Sequence, residues 1–110
     1  MVAETPRLTV VLAPAAIEEL VGVWQWNAER YSPTHANTYV EYLKTTIDGL
    51  AATFTRGKLV EGRPDLRFIL VRRRAKGHGH VVVYRFNRAR IDVLHVFHSA
   101  QDWPGKLKFE

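Results

Sequence analysis

A chain of 110 residues has room for one modest hydrophobic core, and with no cysteine it can form neither a disulfide framework nor a thiolate metal site. Its 46% hydrophobic and 25% charged residues are in the range of ordinary globular domains, and no apolar run approaches the roughly 20 residues that cross a bilayer. The net charge of +5 is unevenly spread: residues 56–90 hold eleven Lys and Arg against two Asp and Glu, residues 1–55 three against six, and residues 91–110 two against three.

Such a basic block suits a polyanionic partner, either nucleic acid or an acidic protein segment; its plainer reading is a solvated basic surface. The first seven residues include Glu4, Pro6 and Arg7 and lack the apolar run of a secretory signal, so the expected location is the cytoplasm.

Leu8-Thr-Val-Val-Leu12 reads as a short strand, stopped by Ala13-Pro14, and proline suits the first turn of a helix. Ile17, Leu20, Val21, Trp24 and Ala28 then recur at helical spacing, with Glu18, Glu19, Gln25 and Glu29 between them. This predicts a first helix that buries that stripe. Tyr31-Ser32-Pro33 breaks it, and Ser32 is placed to cap a second helix with Pro33 at its first position. Ala36, Val40, Leu43, Ile47 and Leu50 form the second stripe, and the short link predicts an antiparallel helix hairpin.

From Phe54 to Pro64 the chain reads as a loop, set by Gly57, Gly62 and the proline. Three strands are predicted next, at about Arg67–Arg73, Val81–Phe86 and Ile91–Phe97, joined by the short links Lys76–Gly79 and Asn87–Arg90. Ile69 and Val71 lie opposite Phe68 and Leu70, and Ile91 and Val93 opposite Leu94 and Val96. A sheet that is apolar on both faces needs cover on both. The helix hairpin covers one. The segment Asp102–Glu110 is too short to cover much of the other, which is expected to stay open for a partner. The expected fold is α+β: an N-terminal strand and an antiparallel helix hairpin packed on a small antiparallel sheet. It forms one domain over residues 1–110, with a core at about 8–104 and a short tail at 103–110.

Five segments carry a family resemblance. Leu12-Ala-Pro-Ala-Ala-Ile-Glu-Glu-Leu20 resembles the opening of RelE/ParE toxins, where a strand ends in a small residue, proline and alanine before an amphipathic helix. Pro33-Thr-His-Ala36 is similar to the start of their second helix, and Gly62-Arg-Pro-Asp-Leu-Arg67 to the glycine-arginine loop that leads into their sheet. Val81-Val-Val-Tyr84 resembles their central strand. Ile91–Asp102 resembles the last strand with its closing histidine, small residue and acid, especially in the ParE branch. These segments span about residues 8–104 in the family's order.

The resemblance implies the toxin of a type II toxin–antitoxin pair. RelE-branch members cleave messenger RNA in the ribosome, whereas ParE-branch members poison DNA gyrase without a known hydrolytic centre. In both branches an antitoxin wraps a segment across the toxin, and the pair reaches operator DNA only through the antitoxin. The implied partners are a ribbon-helix-helix, ParD-like antitoxin and either gyrase or the ribosome. No cofactor, membrane or small-molecule substrate is implied.

RNA cleavage through the 2′-hydroxyl needs a base, an acid and cations for the charge on phosphorus. For a metal-independent nuclease the candidates are His98, Arg85, Arg72, Arg73 and Arg74. His95 and His98 are an odd number of positions apart and face opposite ways in an unbroken strand, so they do not form an acid–base pair there. His98 is then either a site residue or a structural histidine at a strand end. The resemblance implies a tyrosine or histidine near the C-terminus of RelE-branch enzymes, and this chain has no tyrosine after Tyr84. The reading leans away from an enzyme. His35, His78 and His80 lack a third ligand nearby in sequence and read as surface histidines, so no metal site is expected.

Val23 and Trp26 fall off the first helix's stripe, as do Tyr39 and Tyr42 on the second. Either the helices bury more than one face, or these residues form an antitoxin-facing patch together with Arg72 and Arg74. Arg73, Arg85 and His98 are the candidate target contacts. Trp103 is a core plug or an anchor for the tail. The leading reading is a ParE-like gyrase inhibitor, ahead of a RelE-like ribosome-dependent endoribonuclease and a nucleic-acid-binding module resting on the basic block alone.

Overall fold

The computed structural model describes residues 8–73 and 79–107. Their elements are β1 (Thr9–Leu12), α1 (Pro14–Arg30), α2 (Pro33–Asp48), the single turn α3 (Leu50–Thr53) continued by a 3₁₀ turn (Phe54–Arg56), β2 (Lys58–Val60), β3 (Arg63–Val71), β4 (His80–Phe86), β5 (Arg90–His98) and α4 (Trp103–Lys106). This is the expected α+β order of strand, helix hairpin and sheet. Ser32 caps α2 as its position suggests, its hydroxyl accepting the His35 N–H at 3.1 Å.

The five strands lie in the order β1-β5-β4-β3-β2. β2 to β5 are antiparallel, but β1 runs parallel to β5, with Thr9 opposite Arg90 and Leu12 opposite Val93. The sheet is therefore mixed, and the first strand closes its edge beside the last. The expected loop from Phe54 holds an extra strand. Gly62, at φ 79°, makes the reversal that lays β2 back on β3. β3 accordingly starts at Arg63 and not at Arg67, and Pro64 is tolerated because β4 pairing begins only at Arg67.

One core lies between the helices and the sheet, built from Leu20, Leu43, Ile47, Val82, Tyr84, Ile91 and Val93 among others. α1 reaches it with a different stripe from the one its apolar spacing predicts. Ala16, Leu20 and Asn27 are buried, while Ile17 and Val21 remain 48% and 51% exposed. The helix is turned by one residue because its start is tied to the sheet, where the Ala13 N–H donates to the Val93 carbonyl at 2.9 Å. Small Ala16 then lies against the strands. Trp24 is half-buried, and its indole N–H donates to Asn37 across the hairpin at 2.8 Å.

The second face is not open. Val60, Leu66, Val81, Val83 and Phe97 form a second core there with Leu107, and Trp103 packs against it, its ring 4.9 Å from that of Phe68. Asp102 caps α4 by accepting the Gly105 N–H, and Arg63 donates to the Leu107 carbonyl at 3.1 Å. Six residues suffice for this cover because two of them are large apolar plugs held in place. The sequence expectation of a face left for a partner is corrected accordingly.

Candidate binding groove

β1 pairs with β5 only as far as Val93, so among the described residues the rest of β5 has no strand on that side. α1 covers the exposed edge with a side chain. The Glu19 carboxylate accepts the Val96 N–H at 3.1 Å and lies 3.1 Å from His95 Nδ1. A charge-assisted acceptor of this kind satisfies an edge N–H that would otherwise invite strand addition.

An extra residue, Leu94, enters β5 between the pairs Tyr84–Val93 and Val83–His95. His95 therefore stands on the tail face with Val83, stacked 4.5 Å from the Phe97 ring, and reaches Glu19 around the edge. His98 pairs with His80 on the helix face. The two histidines of β5 face opposite ways, as the odd spacing predicts.

His80 is only 8% exposed. Tyr39 Oη lies 2.6 Å from its Nδ1, and the His98 ring stands edge-on at 5.4 Å. Burial, and after it the neighbouring His98, push the His80 pKa down to about 4, so the ring is neutral at ordinary pH. The Tyr39 phenol is pushed up by burial and then by Tyr42, against the pull of Arg73, and it keeps its proton.

Ala100 donates its N–H to His98 Nδ1 at 3.1 Å, and the His98 N–H goes to Gln101 Oε1 at 3.0 Å. Ser99 and Gly79 exchange two bonds at 2.9 Å, one from each backbone N–H. The closing motif of the last strand is thus first of all a turn that fixes the His98 ring.

These elements enclose a groove of about 1300 Å³ between the later part of α1, the start of α2 and the free end of β5. Val23, Trp26, Tyr39, Arg73 and His98 line it, five of the residues singled out from the sequence. Trp26 is 56% exposed, whereas Val23, Tyr39 and Tyr42 are half-buried against the helix-side core. Tyr42 donates to the Arg72 carbonyl at 2.9 Å, and the Arg73 guanidinium is 5.9 Å from its ring centre. Arg74 and His78 lie outside the described residues.

Arg85 does not join this group. It alternates with Val83 onto the tail face and pairs with Asp92 at 3.5 Å, five positions along β4 from His80, or roughly 16 Å at strand rise. Arg85 is therefore not assembled with His98 as the nuclease reading requires. The basic block is also less concentrated than its sequence suggests. Arg63 pairs with Asp65, Arg67 donates to the Thr55 and Gly57 carbonyls, and Arg90 shares Asp92 with Arg85.

The groove is also lined by residues with no site role expected from the sequence: Glu19, Tyr31, Lys106, and His35 and His80, which read there as surface histidines. His80 corrects the expectation of a surface histidine. Drawing the β4–β5 hairpin without a bulge sets His80 against Phe97; only the extra Leu94 brings it against His98.

The family model described as ParE toxin of type II toxin–antitoxin system, parDE, matches residues 10–103. A solved chain from the chromosomal ParDE toxin–antitoxin system of P. aeruginosa shares the fold with a TM-score of 0.71 at 14% identity, covering 84% of this chain and 96% of that one. No curated protein matches.

Proposed function

The chain belongs to the ParE toxin family of type II toxin–antitoxin systems, and from that premise we propose that it acts in the cytoplasm by binding DNA gyrase and is held inactive by a ParD-like antitoxin. The observation that carries the reading is the composition of the groove. It brings Val23, Trp26 and Tyr39, proposed to face the antitoxin, against Arg73 and His98, proposed to face the target. One ligand lying there covers both sets, so neutralisation follows from occupancy. Tyr42 and Arg72 extend the same surface at its side. Exposed aromatics beside cations suit a protein partner.

The chemistry supports binding over hydrolysis. His80 is neutral, His98 is fixed by its own turn, and Arg85 is away on the other face. No described helix is long and apolar enough to cross a membrane.

The test sets purified chain against gyrase and DNA, and in parallel against translating ribosomes with primer extension on the messages. Accumulated gyrase–DNA breaks with intact messages are expected. Codon-registered message cleavage that disappears in His98→Ala would overturn the gyrase reading.

A further inference from the structure

We propose that the groove at the end of β4 and β5 is a carboxylate site, with His80 and Arg73 as donors, filled in the neutralised complex by an acidic side chain of the antitoxin. The partner's identity rests on the toxin–antitoxin reading above; the ligand chemistry rests on the groove.

The titratable and charged groups that line the groove with His80 come from every element around it. α1 presents Glu19, α2 presents His35 and Tyr39, the end of β3 presents Arg73, β5 presents His98, and the tail presents Lys106. Glu19 is the one carboxylate among these described lining residues, and its oxygens already hold the Val96 N–H and His95. The remainder is cationic or proton-donating. In the tautomer whose Nδ1 accepts the Tyr39 O–H, neutral His80 carries its own proton on Nε2 and serves as a donor. Arg73 lines the same groove, with its guanidinium 5.9 Å from the ring centre of Tyr42, one helical turn from Tyr39.

At the other end of the groove, Trp26 and Tyr31 are exposed with their rings 6.1 Å apart. The site therefore fits a peptide with a carboxylate next to a large apolar side chain. A nucleic acid fits less well. It needs a track of cations along its backbone, and Arg63, Arg67, Arg85 and Arg90 are held by contacts elsewhere in the chain.

A carboxylate placed here reverses the balance that keeps His80 neutral, because a negative neighbour favours the imidazolium. Binding then takes up protons from solution. A purely apolar ligand does not have this effect.

The first measurement follows the His80 ring by NMR in the full chain between pH 4 and 8, in chloride, acetate and inorganic phosphate at equal ionic strength. In acetate the midpoint is expected to rise from about 4 by about one pH unit or more. Arg73→Gln, at an exposed position, is expected to remove most of that rise. No rise in either anion overturns the site. A rise in phosphate alone overturns the carboxylate assignment in favour of nucleic acid.

The second measurement titrates the purified product of the adjacent reading frame into the chain calorimetrically near pH 6, in two buffers of different ionisation enthalpy. Net proton uptake that is lost in Arg73→Gln is expected. Tight binding without uptake sinks this inference and leaves the toxin reading intact. Absence of any binding sinks the toxin reading, while the anion titration still decides the site.

Discussion

The two faces of the sheet are covered in different ways. On one, two long helices bury a broad core that includes Leu43, Ile47, Val82 and Tyr84, and the two buried polar residues among those described, Asn27 and His80, lie on this side. On the other, a strap that includes Leu107 closes a smaller core around Val81, Val83 and Phe97. The groove opens where the helix cover ends, past the last residue paired with β1. The comparison teaches that a partner surface need not be a bare face. The proposed one is a seam, where helices, a strand end and a tail meet and leave polar side chains in partial burial.

Truncating one leucine in each core tests how unequal the faces are. Leu43 is fully buried between helix and sheet, and Leu43→Ala is expected to cost about 3–5 kcal/mol, the upper part of the range for such changes. Leu107 is 1% exposed, but its strap can settle inward, so Leu107→Ala is expected near 2 kcal/mol, roughly the lower end. Urea unfolding of both variants decides it. Equal losses would show that the strap is as rigid as the hairpin.

The legibility of the sequence follows the same division. The helix hairpin, its Ser32 cap and the three hairpin strands are written in local patterns: apolar spacing, a proline after a capping residue, short polar links. The family resemblance holds because its segments are caps, turns and strand ends, and the family model runs over almost the same residues, 10–103. Expectations that depend on long-range packing fail. The open face is filled by the tail, since a plug such as Leu107 acts through the cavity it enters and has no periodicity to announce it. The basic rim is broken up because the extended strands set Asp65 beside Arg63 and Asp92 beside Arg90. Pairing of β4 with β5 adds Arg85 to Asp92, and folding brings the Thr55 and Gly57 carbonyls to Arg67. His80 was hidden by a single bulge that shifts the register of β5, and a shift of that kind decides which side chains meet.

The second prediction concerns acid and belongs to the helix side. The folded protein holds His80 at about 4 against an ordinary 6.5, so between those values the unfolded chain binds a proton that the folded one does not. Stability is therefore expected to fall as pH is lowered from 6.5 and to level off below 4, a loss on the order of 3 kcal/mol when complete. Asp65, held low by its bond to Arg63, acts in a separate window below 3.8. Urea midpoints at pH 7 and 4.5 measure the slope, and His80→Gln should flatten it. An unchanged slope in the variant would assign the acid sensitivity to another group.

The smallest effect is expected on the tail face, at Arg85. Its side chain is 54% exposed and shares Asp92 with Arg90, so Arg85→Ala leaves that carboxylate a partner at 2.9 Å. Exposed pairs of this kind contribute roughly 0–1 kcal/mol, and here the loss is expected at about 0.5 kcal/mol or less. Growth arrest in cells and rescue by the antitoxin should both survive the change, whereas Arg73→Ala, in the groove, should weaken both. The pair of variants carries more weight than either alone, because the two arginines come from the same basic block and differ only in the face and end of the sheet on which folding places them. Loss of growth arrest in Arg85→Ala, with Arg73→Ala still toxic, would move the target surface to the strap-covered face and undo the contrast between the two sides.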